Sequence, residues 1–281
     1  MNKIKQILLE KPIIGGIVIA ALFNLFLFLA LLTQTLIYII IGEMHYLIIM
    51  WLQFSLTFGF LAILLLYLVP YGLNLPNGVE SLSDYSEAIQ LKNGSSVRNN
   101  IFLSIIVVFI FVSFEILAGL VLLEISFNFV SLFTEPRPDN LGIFSWIYYL
   151  RPGIWEEIAF RGIILTMLLK KYSKRTAIII DGILFGFTHL FNFLFGADLI
   201  ATLIQVVYAT ILGFFLAFMY IKTESIVSCI LTHYLIDVFG QIFIISSMNI
   251  IMLLIVLVGF VVCIPVIINS YIVKLYSEKF L

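Results

Sequence analysis

Eight apolar runs, each long enough to cross a lipid bilayer, constrain the fold of this chain more than any other feature. A membrane-spanning helix needs about 20 mostly apolar residues. The runs cover residues 13–41, 46–70, 101–123, 145–169, 176–194, 199–221, 225–245 and 250–273. Of all residues, 63% are hydrophobic and 11% are charged, whereas soluble domains are about half apolar and a quarter charged. The sequence therefore predicts an all-α polytopic bundle of about eight transmembrane helices, with residues 1–281 forming a single integral membrane domain.

The basic residues predict how this bundle is oriented. Lys and Arg collect in the cytoplasmic loops of membrane proteins. If the N-terminus is inside, twelve of the 15 basic residues fall on the inner side and Arg137 alone falls on the outer side. The twelve are Lys3, Lys5, Lys11, Lys92, Arg98, Lys170, Lys171, Lys174, Arg175, Lys222, Lys274 and Lys279. We therefore expect both termini inside and the loop of residues 126–144 outside.

Two of the runs carry further local information. The first run is too long for the apolar region of a cleavable signal peptide, which has about 7–15 residues, so we expect a retained helix. The fourth run contains Arg151-Pro152-Gly153, and proline breaks a helix interior but suits its first turn. The regular part of this fourth span should therefore begin near Pro152.

Several ionisable residues lie inside the apolar runs. A charged group at the centre of a membrane helix costs at least about 2.5–3.5 kcal/mol, so such residues are functional candidates by default. They are Glu115 in the third run, Glu156, Glu157 and Arg161 in the fourth, Asp181 and His189 in the fifth, and His233 and Asp237 in the seventh. For Glu115 and Asp181 we expect hydrogen bonds between helices, a common role of polar residues in membranes.

The spacing of the fourth-run residues separates two adjacent glutamates. Glu157 and Arg161 are four residues apart, so they share a helix face and can form an ion pair. Glu156 points about 100° away from Glu157 on the same helix. We therefore expect Glu157 to be neutralised by Arg161 while Glu156 faces a cavity. The alternative is that Glu157 and Arg161 form an ion pair with a purely structural role. In either case, changing both residues together should restore part of the stability that is lost when Glu157 alone is changed, because no uncompensated charge remains.

The polar groups of three runs also agree in depth. Measured from the inner ends of their helices, Glu156, His189 and Asp237 lie about 18–21 Å into the membrane. His233 stands four residues before Asp237, so the carboxylate can hold the imidazole in one tautomer or join it in a polar site. Polar residues that have only structural roles need not lie at the same depth, so we predict that these residues share one site.

Three motifs in order on these runs resemble a known family. Residues 156–161 read E-E-x-x-x-R, residues 185–189 read F-x-x-x-H, and residues 233–237 read H-x-x-x-D. This ordered set is similar to the CAAX prenyl protease and bacteriocin-processing family, abbreviated CPBP or Abi. The resemblance covers residues 155–237, within an expected catalytic core of residues 145–245. It implies an intramembrane endopeptidase that cleaves a membrane-associated protein or peptide.

The resemblance also implies roles for the individual residues. Glu156 is the implied general base that activates water, and His189 is the implied partner that orients water or stabilises the oxyanion. His233 and the residue four later complete the polar site. The prenyl-protease branch commonly has asparagine where this chain has Asp237, so CAAX-type processing and bacteriocin or leader-peptide processing both stay open. The implied partners are such a substrate, with or without a prenyl group, and the lipid bilayer; the net charge of −1 favours no nucleic acid.

The sequence leaves a choice between a metal-free and a zinc-dependent reaction. The H-E-x-x-H pattern of helical zinc sites is absent, and a glutamate in a poor solvent can serve as a general base. We therefore favour the metal-free mechanism, without a cofactor. If zinc takes part, Glu156, His189 and His233 are the candidate ligands.

Two functions of other classes use the same kinds of residue. Carboxylates and histidines in membrane helices also form proton relays and transport pathways, and a family member that has lost activity could serve as a scaffold. The intact motif set argues against a scaffold, and the absence of paired repeats argues against a transporter. In every case the protein is expected to be a multi-pass membrane protein, in the plasma membrane if the source is prokaryotic.

Overall fold

The structure is a computed structural model that describes residues 3–76, 79–91, 96–122, 125–137 and 140–245. Its α-helices are α1 (Lys3–Glu10), α2 (Pro12–Ile41), α3 (Tyr46–Ile63), α4 (Leu82–Ala88), α5 (Val97–Leu122), α6 (Ser145–Tyr148), α7 (Leu150–Glu157), α8 (Thr166–Leu169), α9 (Lys174–Thr188), α10 (Phe191–Leu194), α11 (Leu199–Thr223) and α12 (Ile226–Gly240). Two π-helical segments, Leu64–Leu73 and Ile158–Leu165, continue α3 and α7. Short 3₁₀ helices occupy Phe129–Phe133 and Gly142–Phe144, and the strands β1 (Ile125–Phe127) and β2 (Phe243–Ile245) form one antiparallel ladder. The fold is helical, as predicted, apart from this ladder.

Five helical stretches of the described chain are long and apolar enough to cross a membrane. They are Pro12–Ile41, Tyr46–Leu73, Val97–Leu117, Lys174–Leu194 and Leu199–Thr223. They correspond to the first, second, third, fifth and sixth predicted runs. Their outer faces carry large apolar side chains, such as Phe109 with 72% of its surface exposed, which lipid rather than water would cover.

The other three predicted spans differ from these five. The seventh corresponds to a shorter apolar helix, Ile226–Gly240, and the eighth, residues 250–273, lies outside the described residues. The fourth is a chain of pieces: α6, α7, the π segment and α8. The break falls at Tyr149, before the Arg151-Pro152-Gly153 sequence, and Pro152 is the third residue of α7. Proline is tolerated there because the first N–H groups of a helix have no partner within it, so the helix begins slightly earlier than predicted.

Glycines allow the helices that carry the motifs to approach closely. A Cβ atom on Gly153 would stand 2.8 Å from the Cβ of Tyr234, so α7 lies directly against α12. Gly182 on α9 and Gly213 on α11 meet in the same way, with 2.8 Å between the Gly182 Cα and a Cβ built on Gly213. Small residues that let backbones touch are typical of helix interfaces in membranes. They bring α7 against α12 and α9 against α11.

Residues on either side of α4 contact the end of the broken fourth span and the start of α12. The Lys170 ammonium donates a hydrogen bond to the carbonyl of Pro76, and the N–H of Ile226 at the start of α12 donates to the Gln90 carbonyl. Burial lowers the pKa of Lys170. These contacts hold the helix ends on the side that the sequence predicts to be the inner face.

Candidate active site

One cavity of about 450 Å³ gathers the polar residues of the predicted core. Glu156 from α7, His189 from the end of α9, and His233 and Asp237 from α12 all line it. Helices that are distant in sequence therefore deliver the residues that the sequence placed at a common depth. The convergence predicted from depth alone is present in the structure.

Behind the cavity, Glu157 and Arg161 form the predicted ion pair. The Arg161 Nη1 donates to Glu157 Oε1 at 3.0 Å, and both side chains are fully buried. Arg161 has a second anionic partner that spacing could not reveal: its Nε lies 3.5 Å from the Oδ2 of Asp181, also fully buried. Its Nη2 donates to the backbone carbonyl of Gly213 at 3.1 Å. Asp181 thus links helices through an ion pair with Arg161 and not through the predicted hydrogen bond, because neither of its oxygens has a hydrogen-bond partner among the described residues.

His233 joins this buried network to the cavity. Its Nδ1 lies 2.7 Å from Glu157 Oε1, and its Nε2 lies 3.9 Å from Glu156 Oε2 and 3.6 Å from Asp237 Oδ2. A carboxylate oxygen only accepts, so Nδ1 carries the proton of the Glu157 bond. Glu157, rather than Asp237, therefore sets the tautomer of His233, and Asp237 faces the other ring nitrogen.

Glu156 occupies a different environment from its neighbour. Its side chain is 20% exposed, whereas that of Glu157 is 0% exposed, and it lines the cavity. Its ion-pair contact within the described chain is the 3.9 Å approach to His233. A carboxylate left free of an arginine in this position can bind and deprotonate a water molecule.

His189 and Phe185 complete the arrangement. The Nδ1 of His189 lies 3.0 Å from the Phe185 carbonyl oxygen, which can only accept, so Nε2 is the nitrogen able to meet water or substrate. The Phe185 ring packs edge-on against His189 and His233, with centroids 5.2 Å and 5.8 Å away. The Arg161 guanidinium lies 4.5 Å from the centroid of the same ring. The phenylalanine of the F-x-x-x-H motif is therefore the spacer on which both histidines and the arginine pack, a role that the spacing did not predict.

Other polar residues line the cavity without having been assigned a site role from the sequence. Arg151 is one, and it packs on the Tyr148 ring with 4.7 Å to the centroid. Asn192 and Gln205 are a hydrogen-bonded pair, with 2.8 Å between Nδ2 and Oε1. Glu115 also lines the cavity. Amide and charged side chains inside apolar runs were the sequence signal that could have identified these residues. Spacing along one helix, however, does not show which groups share a cavity.

The described residues do not present a preformed metal site. Among them, no group of three His, Cys, Asp or Glu side chains is placed to hold a metal ion. His233 Nδ1 and His189 Nδ1 are engaged with Glu157 and with the Phe185 carbonyl, an arrangement that metal-bound histidines also use. Zinc binding by Glu156, His189 and His233 and the metal-free alternative therefore both stay predictions.

Comparison with known proteins bears on the segment that carries all three motifs. Residues 138–239 match the family model described as "Type II CAAX prenyl endopeptidase Rce1-like". No curated protein and no solved structure matches the chain. The match covers every residue of the three motifs, and it supports a protease of the CAAX type. The resemblance indicated by the motifs is confirmed: residues 138–239 of this integral membrane protein are similar to the Rce1-like type II CAAX prenyl endopeptidase family.

Proposed function

We propose that this protein is an intramembrane endopeptidase that hydrolyses a peptide bond of a membrane-associated protein or peptide, with Glu156 as the general base. The proposal rests on the different environments of two adjacent glutamates. Glu157 is sealed from the cavity and paired with Arg161, whereas Glu156 lines the cavity beside His233. CAAX-type processing is favoured because the family match covers the whole motif set.

The first step requires a positioned water molecule. Glu156 accepts one proton of the water, and the Nε2 of a neutral His189 can accept the hydrogen bond of the other. The resulting hydroxide attacks the carbonyl carbon of the scissile peptide, forming a C–O bond and moving the carbonyl electron pair onto oxygen. A general base that is correctly placed contributes about 10²–10⁴-fold to such a rate.

The second step collapses the tetrahedral intermediate. A His233 ring that carries protons on both nitrogens can donate from Nε2 to the oxyanion while Nδ1 stays on Glu157, and such donors supply a large part of the rate in acyl transfer. The oxyanion re-forms the carbonyl, the C–N bond breaks, and Glu156 returns its proton to the leaving amine. The products are a carboxylic acid and a free amine, so the proton taken in the first step is accounted for.

The experiment that tests the proposal compares wild-type protein with Glu156→Gln. Glutamine keeps the size and hydrogen-bonding capacity of glutamate but cannot act as a base, so turnover should be lost while expression and melting temperature in detergent stay unchanged. Peptidomics of membranes and secreted material from cells with each variant should then name the substrate. Glu87→Gln, an exposed glutamate in α4, is the matched control and should behave as wild type.

The opposite result would identify a different class of protein. If Glu156→Gln and wild type yield the same peptides in cells and in detergent, the protein is not a Glu156-dependent protease. Loss of a proton-coupled flux in proteoliposomes on the same substitution would then favour the transporter.

A further inference from the structure

Glu115 is a buried acid in the cavity that none of the three motifs includes. It lies on α5, outside the segment that matches the family model, and only 9% of its surface is exposed. It lines the same cavity as Glu156 and His233. Its Oε2 atom is buried and has no hydrogen-bond partner among the described residues.

Glu157 and Asp181 also have buried carboxylate oxygens without a hydrogen-bond partner among the described residues, but both acids are paired with Arg161. Glu157 accepts from Arg161 and His233, and Asp181 lies beside Arg161. Within the described chain, no ion pair involves Glu115. The sequence predicted an interhelical hydrogen bond for this residue, and the part of the chain that the structure describes shows none at Oε2. A polar atom that is buried without a partner is costly, so its retention calls for a partner that arrives from outside the chain.

The proposed substrate supplies groups of the complementary kind. A peptide that enters a cavity at membrane depth brings backbone N–H groups that have no water to bond, and each must find an acceptor in the protein. Glu115 Oε2 is an acceptor on a wall of the cavity that α5 provides. Pairing the two groups satisfies both at once.

We propose that Glu115 is a substrate-binding residue whose carboxyl group accepts a hydrogen bond from a backbone N–H of the bound peptide. This inference rests on the proposed endopeptidase function. It adds to that function a contact from a helix outside the matched segment, which positions the peptide without taking part in proton transfer.

The test uses a fluorophore-labelled farnesylated peptide of CAAX form as the probe. Glu115→Met removes the acceptor at similar size, and Glu115→Gln retains an amide oxygen. A hydrogen bond to a charged group corresponds to at least about a tenfold change in affinity. Glu115→Met should therefore raise KM about tenfold or more with little change in kcat, and Glu115→Gln, which keeps a neutral acceptor, should raise KM by clearly less than Glu115→Met. Ser113→Ala, which removes a hydroxyl bonded within α5 to the Phe109 carbonyl, is the control and should change neither constant.

A second arm locates the hydrogen bond in the substrate. Analogues in which one non-scissile amide is replaced by an ester lack one N–H at a time. One analogue should have a raised KM with wild-type protein but not with Glu115→Met. If every ester affects both proteins equally, or if Glu115→Met lowers kcat and melting temperature while KM is unchanged, Glu115 is a structural residue and the inference is wrong.

The two proposals can fail separately. Binding of the same peptide to Glu156→Gln protein, with and without Glu115→Met, measures the contact when no cleavage occurs. Cleavage by Glu156→Gln protein would overturn the base assignment and leave the Glu115 result standing. Failure of the peptide to bind Glu156→Gln protein, or equal binding with and without Glu115→Met, would overturn the inference about Glu115.

Discussion

Substitution of Glu157 by glutamine probes the buried charge network with a predictable magnitude. Glu157 Oε1 accepts from Arg161 at 3.0 Å and from His233 at 2.7 Å. Hydrogen bonds to charged groups contribute about 1.5–3 kcal/mol and neutral ones about 0.5–1.5 kcal/mol. Glutamine can still accept both bonds as a neutral group, so about 1–1.5 kcal/mol should be lost at each. We expect Glu157→Gln to lower the free energy of unfolding by about 2–3 kcal/mol.

Asp181 changes what the paired substitutions should do. From spacing alone, replacing Glu157 and Arg161 together should recover stability, because no unpaired charge remains. In the structure Asp181 lies 3.5 Å from Arg161, so Arg161→Met leaves a second buried carboxylate without its cation. Removing one partner of a buried ion pair typically lowers stability by about 3–5 kcal/mol. The double variant Glu157→Gln with Arg161→Met should therefore stay nearly as unstable as Arg161→Met alone, and adding Asp181→Asn should recover part of the loss.

The assay is a denaturant titration in mixed detergent micelles, followed by the folded fraction on size exclusion, with cleavage measured per folded molecule. The expected order of stability is wild type, then Glu157→Gln, then the triple variant above the double variant. A double variant as stable as Glu157→Gln alone, with no further gain from Asp181→Asn, would show that Asp181 does not depend on Arg161. A Glu157→Gln protein that folds normally and is inactive, beside an active Glu156→Gln, would instead mean that the two glutamates have exchanged roles.

Three further predictions concern topology, metal and packing. A cysteine at position 137, in an otherwise cysteine-free protein, should react with an impermeant reagent added outside intact cells; protection until the membrane is opened would contradict the proposed orientation. Cleavage should survive strong chelators, and loss of activity that stoichiometric zinc restores would instead give Glu156 a ligand role. Gly186→Ala should lower the melting temperature, because the new Cβ would stand 1.9 Å from Thr210 Oγ1 and 2.8 Å from a backbone oxygen, and overpacking costs about 1–3 kcal/mol. Gly59→Ala, where nothing lies within 4 Å, is the control that should not be destabilised, and equal melting of the two variants would rule out the packing argument.

Relations within one helix were readable from the sequence. The i,i+4 spacing predicted the Glu157–Arg161 pair, which the structure contains at 3.0 Å. The rotation of about 100° per residue predicted that Glu156 would face elsewhere, and it lines the cavity. Depth along each span predicted that His189 and Asp237 would reach the same site. Helical periodicity is fixed by backbone geometry, so these inferences need no knowledge of neighbouring helices.

Relations between helices were not readable in the same way. The contact of His233 with Glu157 depends on the close approach of α7 and α12 at Gly153 and Tyr234, which spacing along either helix does not specify. Asp181 as a second partner of Arg161 has the same origin. Gly182 and Gly186, four residues apart on α9, were a readable signal for a tight helix interface. That signal would have predicted that α9 packs against a neighbouring helix, without naming α11.

The π-helical segment positions the arginine that pairs with the second of two adjacent acids. It begins at Ile158, directly after Glu157, and all eight of its residues are buried. π-Helical segments within α-helices are frequent at functional sites. Arg161 lies inside it, where it reaches Glu157, Asp181 and the Gly213 carbonyl. Arg161 therefore pairs with the buried acids Glu157 and Asp181. Glu156 has no arginine partner among the described residues. A carboxylate without an arginine partner is tolerated in a membrane only beside a polar cavity, and there it is able to act as a base.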